Sequence, residues 1–165
     1  MLDIAEKVGR ELELRGMRMA TAESCTGGWI AQEITAVAGS SAWFECGFVT
    51  YSNRAKHTML GVDPAVIETY GAVSEQVVIQ MAEGALQKSG ADIAVAVSGV
   101  AGPGGGSAEK PVGTVWLAWA MQGKPTVTLV NKFDGNRESV RQQSVQKALE
   151  GVLDCLQSSF HITSP

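Results

Sequence analysis

Residues 93–97, Ile-Ala-Val-Ala-Val, form an apolar run without alternation that empties directly into Ser98 and Gly99. A strand with no polar face needs cover on both sides, as in parallel or mixed sheets packed between helices. The chain must therefore supply two helical layers, and its periodicity does so. Leu2, Ala5, Val8 and Leu12 recur at helical spacing, and Gly16 closes that helix. A second helix is predicted over 26–37. Ser74 is placed to cap a third, whose stripe of Val77, Val78, Met81, Ala82, Ala85 and Leu86 ends near Gly90. A closing helix is predicted to start near Asn136 and to bury Val140, Ser144, Ala148 and Val152.

Between the helices, 17–22 and 43–51 read as strands, separated by a turn at 38–41. Ser52-Asn53 offers a cap for a short helix running through Lys56 to Leu60, with Gly61 at its far end. Residues 112–120 and 126–130 read as a hairpin around Gln122-Gly123, because that connection is too short for a parallel crossover. The predicted order is α-β-α-β-α-α-β-β-β-α. It implies a three-layer α/β/α single domain over 1–165, with a mixed, mostly parallel sheet plus a C-terminal hairpin.

A chain of 165 residues is long enough for one sizeable core and too short for two ordinary domains. Its net charge of −4 argues against a nucleic-acid partner, since a duplex binder presents a basic face. The first residues mix charge with an apolar helical stripe, unlike a secretory signal, and the longest apolar run, 112–121, is too short to span a bilayer. A cytoplasmic protein without membrane contact is expected. Cys25, Cys46 and Cys155 are too few and too scattered for a zinc site or a disulfide framework, so reduced thiols and no metal are expected.

In open α/β sheets, ligands sit beyond the carboxyl ends of the strands. Ser24, Tyr51 and Gly99 all fall at such ends. Ser24 and Cys25 stand where a strand gives way to a helix, in Thr21-Ala22-Glu23-Ser24-Cys25-Thr26-Gly27-Gly28, and either is a candidate nucleophile. A serine there is equally a favoured helix cap, and Cys25 equally a small core residue. A cysteine nucleophile needs a histidine, and the chain has only His57 and His161, the latter in a tail expected to fray. Lys56, one turn into the short helix, is the alternative base if burial lowers its pKa, with Tyr51 as a relay. Taken alone, Lys56 would be an ordinary solvated residue and Tyr51 a strand aromatic. The loop 99–107 has many free N–H groups but lacks the Gly-Lys-Ser/Thr ending of a Walker loop; it suits a ring, a ribose or a phosphate. Arg137 and Arg141 are candidates for the phosphate, or else part of a solvated face. Glu23 either orients Lys56 or caps the helix.

These segments, with Val49-Thr50-Tyr51-Ser52-Asn53, Gly71-Ala72-Val73-Ser74, Ser98-Gly99-Val100-Ala101-Gly102-Pro103 and Lys110-Pro111-Val112-Gly113-Thr114-Val115, together resemble the CinA C-terminal domain family. The resemblance covers nearly the whole chain in order. It implies an amidase that hydrolyses the carboxamide of nicotinamide mononucleotide to nicotinate mononucleotide and ammonia, in pyridine-nucleotide recycling. It also implies Ser24 as nucleophile, with Tyr51 and Lys56 as its partners. The pyrophosphatase-like domain that precedes this one in longer members is expected to be absent. Substrate contacts are expected from Thr26, Gly27 and Gly28 at the helix mouth and from Asn53 beside Lys56. Gly99, Gly102, Gly104 and Gly105 of the loop and Arg137 complete that set. No cofactor is expected. The partner is a small-molecule nucleotide, and exposed apolar helix faces suggest a homo-oligomer, a dimer or higher. The alternative is a nucleotide-binding or regulatory module that keeps the crevice without turning substrate over.

Overall fold

The structure, a computed structural model, describes the backbone of residues 1–162 and side chains as far as residue 158. The tail side chain of His161 thus lies outside the described residues. In chain order the elements are α1 (Leu2–Arg15), β1 (Met19–Glu23), α2 (Trp29–Thr35), a single 3-10 turn (Ser40–Ala42), β2 (Phe44–Val49), α3 (Asn53–Leu60), α4 (Pro64–Tyr70), α5 (Glu75–Ser89), β3 (Ile93–Gly99), β4 (Thr114–Met121), β5 (Val127–Lys132) and α6 (Arg137–Ile162).

The five strands lie in the order β2-β1-β3-β4-β5. β1 runs parallel to both β2 and β3, β4 opposes β3, and β5 opposes β4. Four strands therefore point one way and β4 alone runs against them. The apolar run on β3 sits at the middle of the sheet, and every side chain from Ile93 to Val97 is buried. One face packs Ile93, Val95, Val97, Val115, Leu117 and Trp119 against α1, α2 and α6. The other presents alanines, Ala20, Ala22, Ala94, Ala96, Ala118 and Ala120, to α5 and to Leu60 and Ile67 of α3 and α4. Small side chains on that face let the helices come close. A Cβ on Gly84 of α5 would stand 2.1 Å from the carbonyl oxygen of Leu60, a contact that only glycine permits.

The expected caps are in place: Ser52 Oγ accepts from Ala55 N–H, Ser74 Oγ accepts from Val77 N–H, and Gly61 and Gly90 close α3 and α5. Two expectations change. The helix predicted from residue 26 begins only at Trp29, because Gly27 and Gly28 turn the chain through φ 60° and 105°, outside the right-handed helical region. A further helix, α4, occupies 64–70, where none was expected; Asp63 caps it and Pro64 takes its first turn. Among the described residues, no helix is long and apolar enough to cross a membrane.

Register is what matters for function. Glu23, the last residue of β1, lies level with Val49 of β2 and Val97 of β3. β1 and β2 thus end together, β3 runs two residues further to Gly99, and Ser24, Thr50, Tyr51 and Gly99 lie at one end of the sheet.

Candidate active site

Ser24 is the first residue past β1, and its backbone is held at the sheet edge: its N–H donates to Val97 O at 3.1 Å. Across the neighbouring edge, Thr50 N–H donates to Glu23 O at 2.9 Å and draws the start of the β2–α3 connection alongside. Four residues into α3, Lys56 and Leu60 are the helix's two buried residues, one turn apart on the inward stripe. Lys56 is only 1% exposed. Its Nζ reaches Ser24 Oγ at 2.9 Å, Thr50 O at 3.0 Å and Tyr51 O at 3.1 Å. Among the described residues no carboxylate pairs with it. Burial without a counter-charge disfavours the ammonium, and the Lys56 pKa falls below its ordinary 10.5. A buried amine hydrogen-bonded to a serine hydroxyl is the arrangement a lysine general base requires.

Cys25 has the opposite character. Its thiol is packed in the core cluster with Ile30, Ile34 and Val97, and burial pushes its pKa up to about 11, the backbone N–H groups of Cys25 and Gly99 offsetting only part of that. A thiol so protonated is a poor nucleophile.

Tyr51 meets the pair through its main chain. Its carbonyl oxygen accepts from Lys56, and Ser24 Oγ lies 3.5 Å from the same oxygen. The side chain is 61% exposed, and its hydroxyl accepts from Arg137 Nη2 at 3.3 Å. Arg137 Nη1 donates to Gly102 O at 2.8 Å, so this arginine links the glycine loop to the phenol. Gly99 ends β3 opposite Val115, while Gly104 and Gly105 lie exposed further round the loop. The loop is pinned at its base by Val100 N–H to Thr114 O and by Gly113 N–H to Val100 O. Asn53 opens α3 on its exposed side, in a shallow groove with Arg54 and His57; among the described residues no hydrogen bond joins it to Ser24 or Lys56.

Two charged residues grip the turn after Ser24. Glu23 is fully buried, and its carboxylate accepts from Thr26 Oγ1 at 2.6 Å, Ile30 N–H at 2.8 Å and Ala31 N–H at 3.1 Å. It caps α2 rather than orienting Lys56. The amides that would otherwise make this helix mouth an anion site are thereby taken. From α6, Arg141 donates to Cys25 O at 3.0 Å and Thr26 O at 3.1 Å and lies over the Trp29 ring, 5.3 Å from its centroid. It is engaged with the turn. Within that turn, Gly27 N–H donates to Ser24 O, whereas the N–H groups of Thr26 and Gly28 have no acceptor among the described residues.

The expected Ser24, Lys56 and Tyr51 thus converge, with Arg137 and Gly102 forming a second group beside them. Sequence reasoning missed the carbonyl of Thr50, although its place just past a strand end, level with Ser24, was a usable signal. It also left Arg141 as a phosphate candidate, and only the tertiary contact reveals its engagement with the turn.

Fold and site together describe a three-layer α/β/α protein with a serine–lysine pair at the carboxyl ends of its parallel strands. The chain belongs to the CinA C-terminal domain family, whose profile matches residues 1–156. It is 54% identical over 150 residues to nicotinamide-nucleotide amidohydrolase PncC of Escherichia coli K12, covering 91% of each chain. It is 55% identical over 150 residues to the protein of the same name from Pseudomonas putida, covering 91% of this chain and 93% of that one. Among solved structures, a CinA superfamily protein from Klebsiella pneumoniae superposes with a TM-score of 0.91 at 41% identity, over 95% of this chain and 98% of that one.

Proposed function

We propose that the protein is an amidohydrolase that converts nicotinamide mononucleotide and water to nicotinate mononucleotide and ammonia, and that Ser24 is its nucleophile. The observation that carries this reading is the 2.9 Å contact between Ser24 Oγ and the buried Nζ of Lys56. The names of its amidohydrolase relatives support the substrate.

The two carbonyl oxygens around Nζ, those of Thr50 and Tyr51, can only accept hydrogen bonds. In a neutral amine they hold the two N–H bonds, which leaves the lone pair facing the serine hydroxyl. Lys56 then takes the Ser24 proton as Oγ attacks the carboxamide carbon. The donors for the oxyanion come from the uncommitted N–H groups of the turn after Ser24, with the partly exposed Gly28 among them. The C–N bond breaks as the lysine proton passes to the leaving nitrogen, releasing ammonia and an acyl ester on Ser24. Water, deprotonated by the same amine, hydrolyses the ester and restores the hydroxyl. The Tyr51 hydroxyl and Arg137 flank the entrance on the ligand side and suit the ribose phosphate. The physiological role that follows is pyridine-nucleotide recycling.

The test is ammonia release from the mononucleotide, the nucleoside and free nicotinamide by the wild type, Ser24→Ala and Lys56→Ala. Each substitution is expected to lower kcat by about 10³-fold or more while the fold survives. Near-normal turnover by Ser24→Ala would overturn the nucleophile assignment. Tight nucleotide binding without ammonia at any pH from about 6 to 9 would point to a binding module.

A further inference from the structure

We propose that β5 is a self-pairing edge: two copies of this chain join antiparallel along it, with the two-fold axis at Leu129, so that one sheet runs through both molecules. This pairing does not depend on the chemistry assigned to Ser24.

β5 ends one side of the sheet, and among the described residues β4 is the only strand beside it. An edge strand leaves a row of N–H and C=O groups open to another chain, and charge, proline or a bulge normally guards it. The opposite edge, β2, is guarded in this way: its register against β1 skips Glu45, which pairs with Arg18. From 126 to 131 β5 has neither charge nor proline. Val127, Leu129 and Val130 are 51%, 37% and 46% exposed. Val127 and Leu129 lie on the α6 face, level with Trp119 and Leu117, and Val130 lies on the α5 face, level with Trp116. Apolar side chains are thus open on both faces of a strand whose backbone is open as well.

Hydrogen bonding restricts the register. Phe133 N–H donates to Gly113 O and Val100 N–H to Thr114 O, so the odd-numbered residues of β5 face β4. Thr128, Val130 and Lys132 therefore turn their backbone groups outward, and in a second copy these must meet their like. Thr128 opposite the second Thr128 would set Lys132 against Lys124. Thr128 opposite Lys132 would set Asp134 against Thr126, whose hydroxyl already donates to Glu83. Thr128 opposite Val130 sets Leu129 against Leu129, Lys132 against Thr126 with its Glu83, and Lys124 against Asp134. Only in this last register does each of these lysines meet a carboxylate. Lys124 and Asp134 are exposed at opposite ends of the strand, and neither joins an ion pair among the described residues. The contact uses the same strand from both copies, so it closes as a dimer.

The experiment is sedimentation velocity of the full chain over a dilution series, with Val130→Pro, Lys124→Asp and Lys124→Asp/Asp134→Lys, each with a thermal melt. Wild type is expected to dimerise reversibly. Val130→Pro removes an outward N–H and no bond to β4, so it should raise the dimer Kd about 100-fold while the chain stays folded. Lys124→Asp should raise Kd about 10-fold, and the double variant should return it to within about threefold of wild type. Leu129→Cys should form a disulfide-linked dimer under mild oxidation, because level residues of a non-hydrogen-bonded pair lie within disulfide reach. Val127→Cys, whose two copies are out of step, should not. A wild-type chain that is monomeric at about 100 μM overturns the proposal and leaves the edge to a partner of another kind. A dimer indifferent to Val130→Pro overturns it too, since another face then carries the contact. Should Val130→Pro fail to fold, the double variant and Leu129→Cys decide: no rescue and no cross-link removes the β5 pairing.

Discussion

Lys56 Nζ and Ser24 Oγ, 32 residues apart in sequence, stand 2.9 Å apart in the fold, with the amine buried. Burial lowers the Lys56 pKa from 10.5, so the neutral, proton-accepting form becomes available at lower pH than for a free lysine. Under the proposed mechanism activity needs that neutral form and therefore rises with pH. The expected kcat/KM profile has a rising limb with its midpoint below 10.5, measured as ammonia release across a buffer series. Lys56→Arg, which cannot deprotonate, should lose about 10³-fold or more at every pH. A profile that is flat or falls through this range contradicts Lys56 as base.

Cys25 stands next to Ser24, the proposed nucleophile, and its raised pKa sets it apart from that role. Cys25→Ala is expected to keep kcat within a few fold. Its effect belongs to stability in alkali. The folded thiol titrates near 11 and the unfolded one near 9.0, so the unfolded chain loses its proton first. Stability is fully present below about pH 9 and declines as pH rises toward 11, by up to about 2–3 kcal/mol for a shift of this size. Urea unfolding of wild type and Cys25→Ala at pH 8 and pH 10.5 checks this: the variant should lose less over that interval.

Gly84 tests whether the back of α3 governs the position of Lys56. A methyl group there meets the Leu60 carbonyl, one turn from Lys56 on the same inward stripe. Gly84→Ala should cost about 1–3 kcal/mol and also lower kcat, because relief of the clash displaces α3. Leu156→Ala, in the opposite core, is the control; it should destabilise by a comparable or larger amount and leave kcat nearly unchanged. Equal effects on kcat from the two variants would show that general loosening, not α3 placement, is responsible.

Glu23 supplies a buried acceptor to three donors at once. Glu23→Ala leaves two helix amides and a hydroxyl unpaired and should cost about 3 kcal/mol or more. Glu23→Gln retains one acceptor oxygen but turns an NH₂ toward the donors, and should fall between wild type and Glu23→Ala in urea midpoint.

Local signals carried most of what the sequence revealed. The unbroken apolar run at 93–97 demanded cover on both faces, and Ser52, Ser74, Gly61 and Gly90 marked helix ends because caps depend only on nearby chain. Helix α4 escaped because it buries only Ile67 and has no stripe to detect, although Asp63-Pro64 was a legible start. Strand-end logic brought Ser24 and Tyr51 together; pairing Ser24 with Lys56 also needed the scarcity of histidine and the family resemblance. The side of Tyr51 that meets them could not be foreseen, since backbone and phenol lie on different sides of the same residue. Arg141 reaches its carbonyls across 116 and 115 residues, a relationship without any local trace.

The reversal of β4 separates the molecule into a working end and a spare one. Because β4 starts where β3 finishes, the segment between them must cross the same end of the sheet from which Ser24 and Tyr51 emerge. The turn at Gln122-Gly123, together with the connections at Gly16 and Gly90, lies at the far end of the sheet. Extra residues or a reporter spliced into 122–123 should therefore be tolerated by the enzyme, whereas even a short insertion at 103–106 should silence it.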